Sequence, residues 1–151
     1  MILTTEDLRL FRALPEVEDR ITAARISSVI AAVAALWLFV SPWAYFGVDH
    51  TASAWNAWIM GALIFMASSI ALFFTRQSTP FSWFAAVLAA WVLISPFVFG
   101  YTQYLGRLIN SLSVGAVILG FSLMAGVITR SIQKSRVSEP ARPLPEVILK
   151  P

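Results

Sequence analysis

Residues Trp37 to Trp43 read Trp-Leu-Phe-Val-Ser-Pro-Trp, and residues Trp91 to Phe97 read Trp-Val-Leu-Ile-Ser-Pro-Phe. The two segments share a tryptophan, a Ser-Pro pair and a final aromatic residue, and each places its proline inside a long apolar stretch. A proline within a helix removes one backbone donor and displaces the carbonyl four residues earlier. The sequence therefore predicts two kinked helices of one design.

Four apolar stretches contain or flank these segments, at 26–46, 54–74, 81–101 and 108–128. Hydrophobic residues make up 58% of the chain and charged residues only 13%, and the mean hydropathy is +0.76, unlike a soluble domain. A bilayer core of about 30 Å requires roughly 20 apolar residues of helix, and each stretch meets that length. Because short links make sequential helices antiparallel neighbours, we predict an all-α four-helix transmembrane bundle.

The offset that separates Trp37 from Trp91 recurs through the apolar part of the chain. At the same offset Asn56 pairs with Asn110, Gly61 with Gly115 and Thr75-Arg76 with Thr129-Arg130. Matched Trp, Asn and Arg residues in one register indicate duplication of a two-helix unit, because composition alone would not align them. Each unit crosses the membrane twice, so the two tandem hairpins are predicted to be oriented in parallel about an axis along the membrane normal.

The chain divides into four predicted parts. These are an amphipathic cytoplasmic segment at 1–25, transmembrane hairpin repeats at 26–76 and 80–130, and a proline-rich cytoplasmic tail at 131–151. The first segment begins with the capping signal Thr4-x-x-Asp7, and Pro15 is expected to interrupt its helix. Its charges nearly balance, so the surface that it contacts is either lipid or a protein partner.

The positive charges predict the orientation of the chain. One side carries Arg20, Arg25, Arg76, Arg130, Lys134 and Arg136, and the other carries Arg107 alone. Cytoplasmic loops retain Lys and Arg, so both termini are predicted to be cytoplasmic. Trp and Tyr residues, Trp43 among them, gather near the outer turns as an interfacial belt would.

A Ser-Pro-Trp motif at 41–43, followed by a second helix and a second copy, resembles the SPW repeat family of bacterial integral membrane proteins. The resemblance covers about residues 26–130, although the second copy carries Phe97 where Trp is expected. It implies a multi-pass fold in the bacterial cytoplasmic (inner) membrane. It implies no reaction, because the family is defined by its repeat.

Eleven repeated residues are predicted to hold the hairpins together. They are Trp37, Ser41, Pro42, Trp43, Asn56 and Gly61 in the first copy, and Trp91, Ser95, Pro96, Asn110 and Gly115 in the second. We expect each asparagine amide to bond the kinked segment opposite, alone or with the serine hydroxyl, because a freed carbonyl in hydrocarbon needs a donor. Alternatively, the same groups line a cavity for a small neutral solute.

The residue types present exclude much chemistry. The chain has no cysteine and a single histidine, His50, and no charged residue lies within a predicted span. Thiolate sites, two-histidine haem ligation within one chain and intramembrane proton relays are therefore excluded. The serines within the predicted spans have no base beside them in sequence, so we predict no enzyme, no catalytic residue, no metal and no cofactor. The scattered basic residues indicate no nucleic-acid partner.

Three functional hypotheses follow. The first is a structural or accessory subunit in the lipid bilayer that packs against other membrane chains or itself. The second is an oligomeric pore or carrier for a small neutral or hydrophobic solute, which requires a ligand-sized cavity bordered by Asn56 and Asn110. The third is a binder of a lipid-like pigment or quinone that rests against Trp37, Trp43 and Trp91.

Overall fold

The computed structural model describes residues 5–44, 51–74 and 79–137, with side chains described at 16–44, 52–74 and 79–134. Its elements are α1 (Thr5–Ala44), α2 (Thr51–Phe73), α3 (Thr79–Val98) and α4 (Leu105–Val137). Each helix contains a stretch long and apolar enough to cross a membrane, at Glu16–Ala44, Ala52–Phe73, Thr79–Val98 and Leu105–Lys134. The predicted all-α four-helix bundle is confirmed.

Several sequence predictions fall on residues outside the described ranges. They concern Thr4, the links with Gly47, Asp49, His50 and Arg76, and the tail from residue 138 onward. Within the described part, α4 continues to Val137, so residues 131–137 are helical and do not begin an extended tail. These residues contain neither proline nor glycine, so nothing in them terminates the helix.

The predicted interruption at Pro15 is wrong, because α1 is one continuous helix of 40 residues. A single proline removes only one backbone hydrogen bond, and the helix-forming residues on both sides retain the others. At 1.5 Å per residue α1 is about 60 Å long, roughly twice the thickness of a bilayer core. Its N-terminal part therefore extends the transmembrane helix and forms no separate element.

Each helix packs closely against two others, so the bundle has a square cross-section. α1 and α3 each contact both α2 and α4, whereas α1 lies diagonally opposite α3 and α2 lies diagonally opposite α4. A central layer contains one large apolar side chain from each helix, all at most 1% exposed: Leu38, Ile64, Val92 and Ile118. Alanines fill most of the remaining core, which allows the backbones to approach closely.

Large apolar side chains point outward, which is the reverse of a soluble bundle. Phe73 is 78% exposed, Val87 and Phe97 are each 65% exposed, and Val33 is 63% exposed. Lipid tails solvate such surfaces as well as a protein interior does, so helix association rests on van der Waals packing and hydrogen bonds. The outer surface is accordingly a lipid-contacting surface.

A glycine turn ends α3 and sets the position of the following tyrosine. Gly100 has a φ of 67°, and the Tyr101 N–H donates to the Pro96 carbonyl at 3.1 Å. This is the geometry of a Schellman cap, in which a left-handed residue follows the last helical turn. The turn brings Tyr101 back over the end of α3, where the residue is buried.

The glycines within the helices differ in what surrounds them. A Cβ added at Gly61 would lie 2.8 Å from the backbone nitrogen of Phe39 and 2.9 Å from its Cα. A Cβ at Gly115 would lie 3.0 Å from the Leu93 side chain, but one at Gly120 would meet nothing within 4 Å. Of these three glycines, Gly61 faces the most rigid neighbour and is required most strictly for close packing.

Replacing Gly61 by alanine should lower the free energy of unfolding by about 1–3 kcal/mol, because the methyl group meets a rigid backbone. Gly120→Ala is the matched control, and it should be neutral or slightly stabilising because alanine favours the helix. Unfolding measured by steric trapping or by denaturant titration in micelles tests both variants. Equal stability of the two variants would contradict the described α1–α2 contact.

Candidate functional site

Each serine-proline pair satisfies its own kink. The Ser41 hydroxyl donates to the Leu38 carbonyl at 2.9 Å, and the Ser95 hydroxyl donates to the Val92 carbonyl at 2.8 Å. In both segments this is the carbonyl four residues before the proline, which has lost its backbone partner. The serine before the proline therefore replaces the missing donor without help from another helix.

The two asparagines accept hydrogen bonds from tryptophans of the other hairpin. Trp37 Nε1 donates to Asn110 Oδ1 at 3.0 Å, and Trp91 Nε1 donates to Asn56 Oδ1 at 3.1 Å. The predicted bond from each asparagine to the kinked segment of its own hairpin is wrong, because the serine already satisfies the freed carbonyl. An indole is a donor only, so the amide oxygen is its natural acceptor in hydrocarbon.

These two bonds are equivalent in the register of the repeat. Trp37 corresponds to Trp91, and Asn110 corresponds to Asn56. One bond joins α1 to α4 and the other joins α3 to α2, so together they fasten the two hairpins along both seams between them. The sequence contained both residue pairs but could not indicate which hairpin supplies the acceptor.

A small cavity lies between α1, α2 and α4 at the end of the bundle where α1 ends and α2 begins, and we call it the outer cavity after the predicted orientation of the chain. Its volume is about 30 Å³, and its polar lining comes from Ser41, Ser53, Tyr101, Arg107, Asn110 and Ser111. That volume accommodates about two waters, whereas ligand pockets measure roughly 300–1,000 Å³. The ligand-sized cavity bordered by both asparagines is not found in the described part of the chain, since only Asn110 borders the outer cavity.

Sequence analysis did not anticipate a layer of four buried serines in the half of the bundle where α2 ends and α3 begins, which we call the inner layer after the predicted orientation. Each helix contributes one serine, followed three residues later by an alanine, and the serines are Ser28, Ser68, Ser82 and Ser122. Ser28 donates to the Ala24 carbonyl at 3.0 Å, while the other three hydroxyls have no partner among the described residues. The recurring Ser-x-x-Ala spacing was the signal that could have predicted this layer.

The three tryptophans of the pigment hypothesis are not brought together. Trp43 packs in a cluster with Phe39 and Trp58, at centroid distances of 5.7 and 5.0 Å. Trp91 instead packs edge-on against Phe99, and Trp37 reaches α4. In the ranges that the structure describes, no group of three His, Cys, Asp or Glu residues could hold a metal ion.

The same four helices are matched by the model of a known protein family. A family model for the SPW repeat domain matches residues 25–125, which include both serine-proline segments and both asparagines. The chain belongs to the SPW repeat family. Comparisons with curated proteins and with solved structures give no match. Membership in the SPW repeat family and four apolar helices identify a multi-pass integral membrane protein.

A double-mutant cycle should detect the two tryptophan-asparagine bonds. We expect Trp37→Phe and Asn110→Ala to couple by about 0.5–1.5 kcal/mol in the free energy of unfolding, as interhelical bonds in membranes do. Trp91→Phe with Asn56→Ala should couple similarly. The crossed pair Trp37→Phe with Asn56→Ala is the control and should be additive. Coupling in the crossed pair equal to that in the bonded pairs would refute the assignment.

The sign of the stability change on removing a serine hydroxyl tests the description of the inner layer. Removing a buried hydroxyl that lacks a partner removes an unfavourable desolvation, so Ser68→Ala should be neutral or stabilising by up to about 1 kcal/mol. Thr129, whose hydroxyl donates to the Ala125 carbonyl at 2.8 Å, supplies the comparison through Thr129→Val, which should be destabilising. Thermal unfolding in detergent would report the difference, and a clear loss of stability in Ser68→Ala would reveal a bond that the hydroxyl makes.

Proposed function

We propose that this SPW repeat protein is a non-enzymatic structural or accessory subunit that binds a transmembrane helix of another membrane chain. The observation that carries the proposal is an apolar groove of about 390 Å³ on the lipid-facing side, between α1 and α4. The residues that line this α1–α4 groove are Val29, Ile30, Val33, Ala34, Trp37, Ser113, Val114 and Val117. Helices in membranes associate through such close apolar fits.

The residues that form the groove are not repeated on the opposite side of the bundle. On the seam between α2 and α3, most of the equivalent positions of the repeat carry larger residues. Trp83 and Phe84 replace Val29 and Ile30, and Ile59, Met60 and Leu63 replace Ser113, Val114 and Val117. A surface needed only for lipid contact has no reason to differ in this way, so the difference supports a specific partner at the α1–α4 seam.

Gly120 extends the same surface along α4. It lies three residues after Val117, which puts both residues on one helix face, and it is exposed. A Cβ added at Gly61, Gly115 or Gly126 would come within 3.5 Å of a neighbouring helix, but one at Gly120 would meet nothing within 4 Å. Glycine on a membrane helix permits close backbone approach, which supports an external helix at this position.

The interior of the bundle supports a structural role rather than a reaction. The asparagines, the kink serines and the paired indoles are engaged in bonds that hold the helices, as described above. The unpartnered hydroxyls of the inner layer are serines with no carboxylate or imidazole beside them within the described residues. The described interior thus offers no acid, base or activated nucleophile of the kind that catalysis requires.

We further propose a bacterial inner-membrane location with both termini cytoplasmic, and an origin by duplication of one hairpin. Arg20, Arg25, Arg130 and Lys134 lie at one end of the bundle and Arg107 lies at the other, and the positive-inside rule assigns the first end to the cytoplasm. The reciprocal tryptophan-asparagine bonds support the duplication, because a shared ancestor explains why both partners repeat in register.

The test is gentle detergent extraction from the native membrane, followed by sizing and mass spectrometry. We expect a stoichiometric partner with at least one transmembrane helix. Gly120→Leu should release that partner without lowering the stability of the bundle, because a Cβ at this position would meet no atom of a neighbouring helix within 4 Å. Met66→Leu, at the equivalent lipid-facing position of α2, is the matched control and should retain it.

A homo-oligomer without any partner would overturn the accessory role and favour the pore or carrier. A wild-type protein that migrates as a monomer, with no partner under several mild detergents, would overturn both. If Gly120→Leu retained the partner, the docking surface would lie outside the α1–α4 groove, and the accessory role would still stand.

A further inference from the structure

Ser113 is a lipid-facing serine of α4 whose hydroxyl makes no hydrogen bond with a described residue. It lines the α1–α4 groove and is exposed. It lies five residues, about 8 Å, inside the span predicted at 108–128. Water does not reach a group at that depth, and an unpaired hydroxyl in hydrocarbon is unfavourable. The hydroxyl therefore requires a partner that the described residues do not supply.

Other hydroxyls of the bundle bond their own helix. Serine and threonine in membrane helices commonly donate to a carbonyl three or four residues earlier. The hydroxyls that do so here belong to Ser27, Ser28, Ser41, Ser95, Thr129 and Ser131. The hydroxyl of Ser113 does not bond the carbonyl of Ile109, four residues before it, and is available to a group outside the chain.

The seam between α2 and α3 has an apolar residue at the equivalent position. The equivalent of Ser113 in the first copy is Ile59, which is 48% exposed. Lipid tails solvate isoleucine as well as a protein interior does, so contact with lipid alone accounts for Ile59. It does not account for a serine, and the serine lies on the seam that has the groove.

One wall of the groove beside Ser113 is fixed before any partner binds. Trp37 forms this wall, and its indole donates to Asn110, which lies one turn before Ser113 on α4. The bond holds the indole in place across the seam between α1 and α4. A docking helix therefore meets a preformed surface, and less conformational entropy is lost on binding.

Ser113 and Gly120 mark two points on one face of α4. Val117 lies between them at spacings of four and three residues, so all three residues lie on one side of the helix. The distance along the helix axis from Ser113 to Gly120 is about 10 Å. A second helix that packs at the crossing angle of about 20° common in bundles repeats this spacing of seven residues.

We infer that the helix docked in the α1–α4 groove carries an uncharged hydrogen-bonding side chain, Ser, Thr, Asn or Gln, opposite Ser113. A small residue, Gly, Ala or Ser, lies seven positions away on that helix, opposite Gly120. The inference rests on the proposed function and adds the chemistry by which the partner is recognised. A charged side chain does not fit, because the described lining has no charged residue and hydrocarbon disfavours an unpaired charge.

The chain has no cysteine, so single thiols can be placed in the full-length protein. Val117→Cys, labelled with a benzophenone maleimide in native membranes, should crosslink to a spanning helix of one other protein. Ile59→Cys, on the α2–α3 seam, is the matched control and should give no crosslink to protein. Disulfide formation between Ser113→Cys and single cysteines placed along the partner helix then identifies the facing residue, which we expect to be Ser, Thr, Asn or Gln.

Fluorescence energy transfer between the two purified chains in proteoliposomes measures the strength of the bond. We expect Ser113→Ala to weaken association about 3- to 20-fold, as loss of one interhelical hydrogen bond in a membrane would. Ser113→Thr keeps the hydroxyl and should remain closer to the wild type. Ser69→Ala is the matched control and should change nothing, because Ser69 lies on α2, diagonally opposite α4. Replacing the facing polar residue by alanine should cause no further loss in Ser113→Ala.

Three results overturn the inference while the accessory role stands, because Val117→Cys still crosslinks to another chain. The first is an apolar residue opposite Ser113. The second is equal association of the wild type and Ser113→Ala. The third is full additivity of Ser113→Ala with alanine at the facing residue. A Val117→Cys crosslink to lipid alone, or to a second copy of this chain, overturns the proposed function together with the inference.

Discussion

Within a bilayer no water can bond a polar group, and this constraint explains most of the specific contacts in the protein. Pro42 frees a carbonyl, and the adjacent Ser41 hydroxyl bonds it at 2.9 Å. Trp37 brings an N–H that must be satisfied, and Asn110 of the other hairpin accepts it at 3.0 Å. The Ser-Pro pair of the motif is thus explained by a local repair of the proline kink, while Trp43 packs against Phe39 and Trp58. The tryptophan-asparagine bonds are the complementary long-range feature that joins the two hairpins.

Close packing is the second feature that holds the four helices together, because burying apolar surface away from lipid contributes little free energy. Small residues fill the interior around one central layer of larger side chains, and Gly61 lets α2 approach the backbone of Phe39 to a distance that a Cβ would not permit. The large side chains are consequently displaced to the outside. In such a bundle most of the large side chains face lipid or neighbouring chains, and the outer cavity accommodates only about two waters.

The two copies of the repeat have the same residues at the positions that hold the helices together. They have different residues at the proposed docking surface. The kink serines, the asparagines and the paired indoles are the same in both copies. In contrast, Gly120 corresponds to Met66 beside the α1–α4 groove. The smaller residue leaves a space there, because a Cβ added at Gly120 would meet nothing within 4 Å. A repeated two-helix unit supplies a stable frame, and differences between its copies at a few positions can create a docking surface without disturbing that frame.

The sequence by itself determined the four spans, the all-α bundle and the family, because span length and repeat register are properties of the chain read in one dimension. It also identified Trp37 and Asn110 as important positions. Only the tertiary structure decided that these two residues bond each other, that Ser68 belongs to a buried serine layer and that α1 passes through Pro15 unbroken. Such contacts depend on how each helix is rotated and which seam it faces. Because the apolar faces of the helices are similar in composition, the sequence does not show which face packs at which seam. The packing of all four helices together determines it.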